Sequence, residues 1–336
     1  MFVLGIDTSC DDTSVAVVQD GRIVKSNITH SQIASHRAHG GVVPELASRE
    51  HLKNIIPVAE EAIAASGLSL QNIDGIAVTI GPGLIGSLLV GVYYAKSLAY
   101  VTGTSFIGIN HLEGHILSVF LETDIPSFPF ICLVVSGGHT SFYEVIDFCR
   151  YRPLGHTLDD AAGEAFDKVA KILGLSYPGG PEIEKISNDG RPDIVKFPRA
   201  LLSKKSFDSS FSGLKTSVSL FVEQWRSGKH AYTDITISDI AASFQEALVD
   251  VLVQKASLAL KMTKAKSIVV SGGVACNKRL RNAINDMAKQ ISVSTYFPRP
   301  SYCTDNGAMI AAAGYYRLIN GEKTALNTDV KSRFPI

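Results

Sequence analysis

Val134-Val-Ser-Gly-Gly138 occurs a second time as Val269-Val-Ser-Gly-Gly273, and this repeated pentapeptide decides how the chain is read. In both copies a short β-branched apolar run ends in a pair of glycines. A buried parallel strand ends this way when it opens into a loop whose backbone comes close to a ligand. Paired glycines expose N–H groups with no Cβ in the way, so such loops commonly hold phosphates. One pair alone is explained by a tight turn. Two pairs at equivalent strand ends favour a nucleotide or a similar phosphorylated ligand.

Working outward, the order of elements also repeats. Strand-like runs near 2–7, 13–19 and 22–28 precede a helix at 44–66, a strand at 73–80, a helix at 84–102, a strand at 105–109 and a helix from 111. Asp20-Gly21 is a strong hairpin signal between the second and third runs. Runs at 130–136, 140–147 and 150–155 then precede helices at 159–173 and 237–262, a strand at 267–271, a helix at 277–290, a strand at 292–297 and a last helix at 306–319. Three adjacent strands followed by alternating helices and strands, twice over, predict a duplicated α/β fold of two lobes around a central cleft. The expected division is an N-terminal lobe at 1–125, a C-terminal lobe at 126–305 and a tail at 321–336, with helix 306–320 packing back on the first lobe. The Gly-, Pro-, Ser- and Lys-rich stretch 174–236 reads as an insertion in the second lobe.

The 336 residues suffice for two such cores, and 46% hydrophobic with 19% charged residues describes an ordinary globular protein. The most apolar stretch, Leu88 to Val101, contains Lys96 and is too short to span a bilayer. The N-terminus lacks a basic n-region and a small-residue cleavage site, which points away from export. Five scattered cysteines without Cys-x-x-Cys spacing fit reduced thiols in the cytoplasm. Lys and Arg total 32, matching 32 Asp and Glu, so any nucleic acid must be met by a local patch or with help from a partner. Lys204, Lys205, Lys278, Arg279 and Arg281 are local bases that would serve such a contact, or simply be solvated.

His111-Leu-Glu-Gly-His115 places two imidazoles four residues apart on one helix face, where both reach a single transition metal; capping or surface histidines are the alternative. A zinc-protease motif needs glutamate directly after the first histidine, and that position is Leu112. Glu113 lies about 200° around the helix from His111 and points away. Asp305, in Cys303-Thr-Asp-Asn-Gly-Ala-Met309, is the candidate third ligand, or else a helix cap. Two histidines and a carboxylate with open positions suit iron or zinc. Asp7, Asp11 and Asp12 cluster at the first strand end, more acids than a turn requires. Gly272 and Gly273, in the second copy of the pentapeptide, lead to Asn277, whose amide suits a base or ribose. His30, His36, His39 and His51 lack ligand spacing and read as polar surface or loop residues.

Together these motifs resemble one family. Ile6-Asp-Thr-Ser-Cys-Asp-Asp12, His39-Gly-Gly-Val-Val-Pro-Glu-Leu-Ala-Ser-Arg49, His111-Leu-Glu-Gly-His115, Val135-Ser-Gly-Gly-His-Thr140, Asp159-Asp-Ala-Ala-Gly-Glu-Ala-Phe-Asp-Lys168, Tyr177-Pro-Gly-Gly-Pro181 and Phe211-Ser-Gly-Leu-Lys215 carry the resemblance. The chain resembles the bacterial TsaD family, tRNA adenosine threonylcarbamoyltransferases formerly called O-sialoglycoprotein endopeptidases. The resemblance implies the fold shared by actin, sugar kinases and heat-shock chaperone ATPases (the ASKHA fold). It implies threonylcarbamoyl transfer from threonylcarbamoyl-adenylate to an adenosine beside the anticodon in tRNAs that read adenine-initial codons. It implies one divalent metal on His111, His115 and Asp305, with Fe2+ favoured over Zn2+. Substrate positions carry over to Val134, Val135, Ser136, Gly137, Gly138, Asp167, Gly180 and Asn277, with Glu184, Gly272 and Gly273 held more loosely. Asp7 and Asp12 stand where many relatives have glutamate; Asp11 or Asp12 is the candidate acceptor of the amine proton. The implied partners are tRNA, an inactive TsaB-like paralogue and a small TsaE-like ATPase. A small-molecule kinase of the same fold, a metalloprotease and a non-enzymatic tRNA-binding scaffold are the rival readings.

Overall fold

The computed structural model describes residues 1–200, 206–228 and 234–336; Lys204 and Lys205 lie outside them. Two units are distinct. The first comprises Met1–Ile125, Asp147–Tyr151 and Pro298–Ile336, and the second Pro126–Ile146 and Arg152–Phe297.

In the first unit, β1 (Phe2–Asp7), β2 (Asp12–Gln19) and β3 (Ile23–Ser31) form an antiparallel meander. Asp20 and Gly21 both take positive φ, 52° and 67°, the conformation that a two-residue hairpin needs. Helices α1 (Ile33–Arg37) and α2 (Pro44–Ala65) follow, then β4 (Gly75–Gly81), α3 (Ile85–Thr102), β5 (Ser105–Asn110) and α4 (His111–Leu117). β4 pairs parallel to β1, and the sheet runs β3-β2-β1-β4-β5. Strands β1 and β4 are covered on both faces, so they read as continuous apolar runs. Leu4, Ile6, Val15, Val17, Ile55, Val58, Ile76 and Val78 belong to the core on the α2–α3 side.

The second unit repeats the plan with β6 (Phe130–Val135), β7 (Thr140–Asp147) and β8 (Arg150–His156), then α5 (Ala162–Leu173), α6 (Gly179–Ser187), α7 (Ser212–Arg226), α8 (Ile237–Thr263), β9 (Ser267–Ser271), α9 (Lys278–Gln290) and β10 (Ser294–Tyr296). Its sheet order, β10-β9-β6-β7-β8, is the first sheet's order with β6 in the place of β1 and β9 in the place of β4. The pentapeptides therefore end two parallel neighbours, β6 and β9. The stretch 174–236 contains α6 and α7 among its described residues.

The chain then returns to the first unit as α10 (Pro300–Cys303) and α11 (Gly307–Ile319). A Cβ at Gly5 would collide with the backbone of Gly307 and Ala311, so α11 lies directly on β1. Several expected boundaries move: the second unit ends at Phe297 instead of 305, and β3 runs on to Ser31 instead of 28. α5 starts at Ala162 instead of 159 because Asp159 turns outward and accepts from the Phe211 and Ser212 N–H groups, at 2.8 and 3.1 Å. No helix among the described residues is long and apolar enough to cross a membrane.

Candidate metal centre and glycine loops

β5 delivers the metal motif. Asn110 ends the strand and caps α4, its side-chain oxygen accepting from Leu112 N–H at 2.9 Å. Residues four apart then share one face. His111 and His115, both buried, set their rings edge to face with centroids 4.7 Å apart. Asp305 arrives between α10 and α11, where Asn306 caps α11 through Met309 N–H (2.9 Å) and donates to Thr304 C=O (2.7 Å). Its Oδ1 lies 3.1 Å from His115 Nε2 and 3.4 Å from His111 Nε2. One donor atom from each of the three residues falls within 4.8 Å of the others.

The other ring nitrogen of His111, Nδ1, lies 3.1 Å from Ser9 Oγ and 3.3 Å from Asp7 Oδ2. A metal-binding imidazole is typically oriented this way, by an oxygen on its far nitrogen. Burial alone would lower the basicity of His111, but the Asp305 and Asp7 carboxylates outweigh it and hold His111 well above the ordinary value. For Asp305, burial works toward protonation and is overcome by His111 and His115, which hold the carboxyl well below the usual range. The pocket is thus built to stabilise positive charge beside a carboxylate. Two imidazole nitrogens and one carboxylate oxygen on a common point fit a divalent transition metal.

Asp12, the first residue of β2, has a buried Oδ1 with no hydrogen-bond partner among the described residues. Burial is the main cause that pushes its carboxyl up to about 7, against a hydrogen bond from Ser31 and with Asp11, Asp305 and Asp7 adding to the rise. The Asp11 carbonyl accepts from Gln32 N–H at 3.0 Å. His36 and His51 are not surface residues as expected: both are fully buried. His51 bridges Thr13 Oγ1 (2.8 Å) and Cys10 C=O (2.9 Å), tying α2 to the acidic loop. Burial of a histidine depends on such remote partners, and spacing gives no sign of them. His30 and His39 are exposed.

In the second unit the expected substrate residues gather around the ends of β6 and β9. Val134 and Val135 close β6, and Ser136-Gly137-Gly138 turn toward β7, with Ser136 Oγ accepting from His139 N–H at 3.2 Å. Gly163 packs on Ser136 and Gly137, and Gly272, at φ +96°, on the Val135 backbone. Asp167 accepts from Gly179 N–H at 2.7 Å, at the start of the helix that contains Gly180 and Glu184. Glu184 accepts from Lys278 N–H at 3.1 Å. Asn277 caps α9 and donates to Gln245 at 2.7 Å, a partner without any signal in the sequence. Gly137, Gly138, Gly180 and Gly273 have open space where a Cβ would sit, and none has positive φ. The fold itself does not require glycine at those four places; close approach of a ligand would. Two of the candidate bases are engaged internally, Arg279 on Glu246 and Arg281 on Ala275 C=O.

A family model described as tRNA N6-adenosine threonylcarbamoyltransferase (TsaD) matches residues 23–312. The chain belongs to the TsaD family. Among its relatives, the tRNA N6-adenosine threonylcarbamoyltransferase of Geotalea uraniireducens (strain Rf4) is 50% identical over 336 residues, covering 100% of this chain and 97% of the relative. That of Thermodesulfovibrio yellowstonii is 49% identical, with both chains covered over 100%. Solved structures show the fold alone. Full-length HypF in its phosphate- and nucleotide-bound form aligns with a TM-score of 0.63 at 15% identity, over 96% of this chain and 47% of HypF. The (R)-2-hydroxyglutaryl-CoA dehydratase component A of Acidaminococcus fermentans aligns at 0.55 and 14%, over 95% and 99%. With the mirrored sheet orders, these likenesses make this TsaD chain a member of the ASKHA fold.

Proposed function

We propose that this chain transfers the threonylcarbamoyl group from threonylcarbamoyl-adenylate to N6 of the adenosine next to the anticodon, in tRNAs that read adenine-initial codons, releasing AMP. The observation that carries the reading is the convergence of His111, His115 and Asp305 on one point in a TsaD chain. These three would hold one divalent metal, Fe2+ ahead of Zn2+ for a two-histidine, one-carboxylate set. When bound, such an ion supplies a Lewis acid for a carbonyl or phosphate oxygen. Asp7 and Ser9 keep His111 turned for that purpose.

The chain's own groups account for the rest. Backbone N–H groups at Val134–Gly138 and Gly272–Gly273 would bind the adenylate phosphate and stabilise the charge that grows on it as AMP leaves. Asp167, Gly180, Glu184 and Asn277 would hold the nucleoside. N6 attacks the carbamoyl carbon, the new C–N bond forms, and the C–O bond to the phosphate breaks with its electron pair leaving on AMP. The amine proton needs an acceptor, and burial, which pushes the Asp12 carboxyl up to about 7, supports Asp12 over Asp11 for that role. The metalloprotease reading loses its base: Glu113 is bonded to Arg317 and Tyr151, each at 2.8 Å. tRNA would be shared with TsaB-like and TsaE-like partners in the cytoplasm, in keeping with zero net charge.

Nucleoside mass spectrometry of an adenine-initial-codon tRNA tests the reading, after incubation with the protein, its partners, a separate enzyme that makes the adenylate, threonine, bicarbonate and ATP. Threonylcarbamoyladenosine with wild type and none with His111→Ala supports it. Equal product from both removes the metal from the essential chemistry. No product from wild type with active partners returns the kinase and scaffold readings.

A further inference from the structure

Glu113 is a buried carboxylate on the metal helix that the reaction does not use. Its side chain is 1% exposed, and it accepts from Arg317 Nε and Tyr151 OH, each at 2.8 Å. It lies between the two histidines in sequence and on the opposite side of α4 from them. Arg317 sits in the last turn of α11, about 15 Å along the helix from Gly307, which follows Asp305 by two residues. A second pair, Arg317 on Glu322 at 2.6 Å, holds the guanidinium in place.

α4 has only seven residues, too few to be fixed by its own hydrogen bonds. It is held by what it touches. Against α11 that contact is apolar and close: a Cβ at Gly114 would come within 2.8 Å of Ile310 and 3.1 Å of Met309. An apolar seam excludes water, but it does not by itself choose one register over a slightly shifted one. A buried ion pair does choose, because a shift leaves both charges desolvated and unpaired.

We infer that Glu113 and Arg317 are positioning residues, whose buried pair sets α4 against α11 and so places His111 and His115 relative to Asp305. The inference rests on the metal reading above and asks how the ligand set is kept in shape.

Co2+ titration of the full chain, stripped of metal, tests it through the ligand-field absorption and the affinity. Glu113→Gln keeps the shape of the side chain and removes the charge. The double variant Glu113→Met/Arg317→Met replaces the pair with apolar groups. Ile55→Ala, in the core on α2, loses stability away from the site. The expected result is Co2+ affinity roughly 10–100-fold weaker in Glu113→Gln, with an altered spectrum, as for other groups that orient metal ligands. The double variant should regain thermal stability relative to Glu113→Gln and still bind weakly. Ile55→Ala should melt earlier and bind as wild type. Wild-type affinity and spectrum in the double variant would overturn the inference, and that variant decides the matter if Glu113→Gln fails to fold. A wild-type chain that binds no Co2+ would instead overturn the metal reading, and this proposal with it.

Discussion

Two glycine substitutions, one residue type in two settings, separate packing from ligand approach. At Gly163 a new Cβ would stand 2.6 Å from Ser136 O, 2.7 Å from Gly137 Cα and 2.9 Å from Gly137 N, all backbone atoms. The loop must then move by several tenths of an ångström, an overpacking cost of about 1–3 kcal/mol. Removing a glycine from the first turn of α5 returns about 0.5–1 kcal/mol. With all three contacts to backbone and under 3.0 Å, the upper part of the overpacking range, about 2–3 kcal/mol, applies, and the net loss of about 1–2.5 kcal/mol corresponds to a melting temperature lower by roughly 2–10 °C. Because displacement by one ångström costs on the order of 10²-fold in rate, the same shift should also slow turnover by roughly tenfold. At Gly137 the Cβ meets nothing within 4 Å and φ is not positive. Gly137→Ala should therefore leave the fold intact or stabilise it by about 0.4–1 kcal/mol through the unfolded chain. Yet its methyl stands where the adenylate is proposed to approach, so KM for the adenylate should rise. Differential scanning calorimetry and threonylcarbamoyladenosine formation at varied adenylate concentration measure both. Gly137→Ala with wild-type KM refutes the loop's role, and Gly163→Ala with wild-type melting refutes the packing argument.

Three further outcomes are expected. In Asp12, folding raises the carboxyl to about 7, so ionisation opposes the folded state: the penalty is absent below about pH 4 and complete above about pH 7. In metal-stripped protein Asp12→Asn should thus be neutral at pH 4 and stabilising by about 2–4 kcal/mol at pH 8 in denaturant titrations; equal stability at both pH values would contradict this. Asn277→Asp keeps an oxygen to cap α9 but loses the donor to Gln245, so it should melt close to wild type while adenylate binding weakens; a large melting shift would mean that Asn277 serves mainly the fold. Asn306→Ala removes the cap of α11 beside Asp305, costing about 0.5–2 kcal/mol, and should weaken Co2+ binding; unchanged affinity would show that Asp305 is held by other contacts.

What could be read in advance was local and periodic. The pentapeptides announced two strand ends because a β-branched run and a glycine pair need no distant partner to be understood. His111 and His115 could be paired from helix geometry alone, and Leu112 argued against a protease. What stayed hidden depends on residues far apart in the chain. Nothing near Glu113 points to Tyr151 or Arg317, which follow it by 38 and 204 residues. Asp7 stood out as an acid at a strand end, but its turn toward His111 comes from the fold. The start of α5 moved because Asp159 found backbone partners 52 and 53 residues on.

The return of the chain to its first unit has a consequence for biosynthesis. The second unit is complete in sequence at Phe297, whereas the first waits for α11 to cover β1. Asp305 leaves the ribosome 190 residues after His115, about 10–40 s later at ~5–20 residues per second. During that interval the nascent chain carries two imidazoles and no third ligand. Capture of the proposed metal therefore belongs to the end of translation, and a chain truncated after Phe297 would retain every glycine loop of the second unit but could not bring together the three candidate ligands.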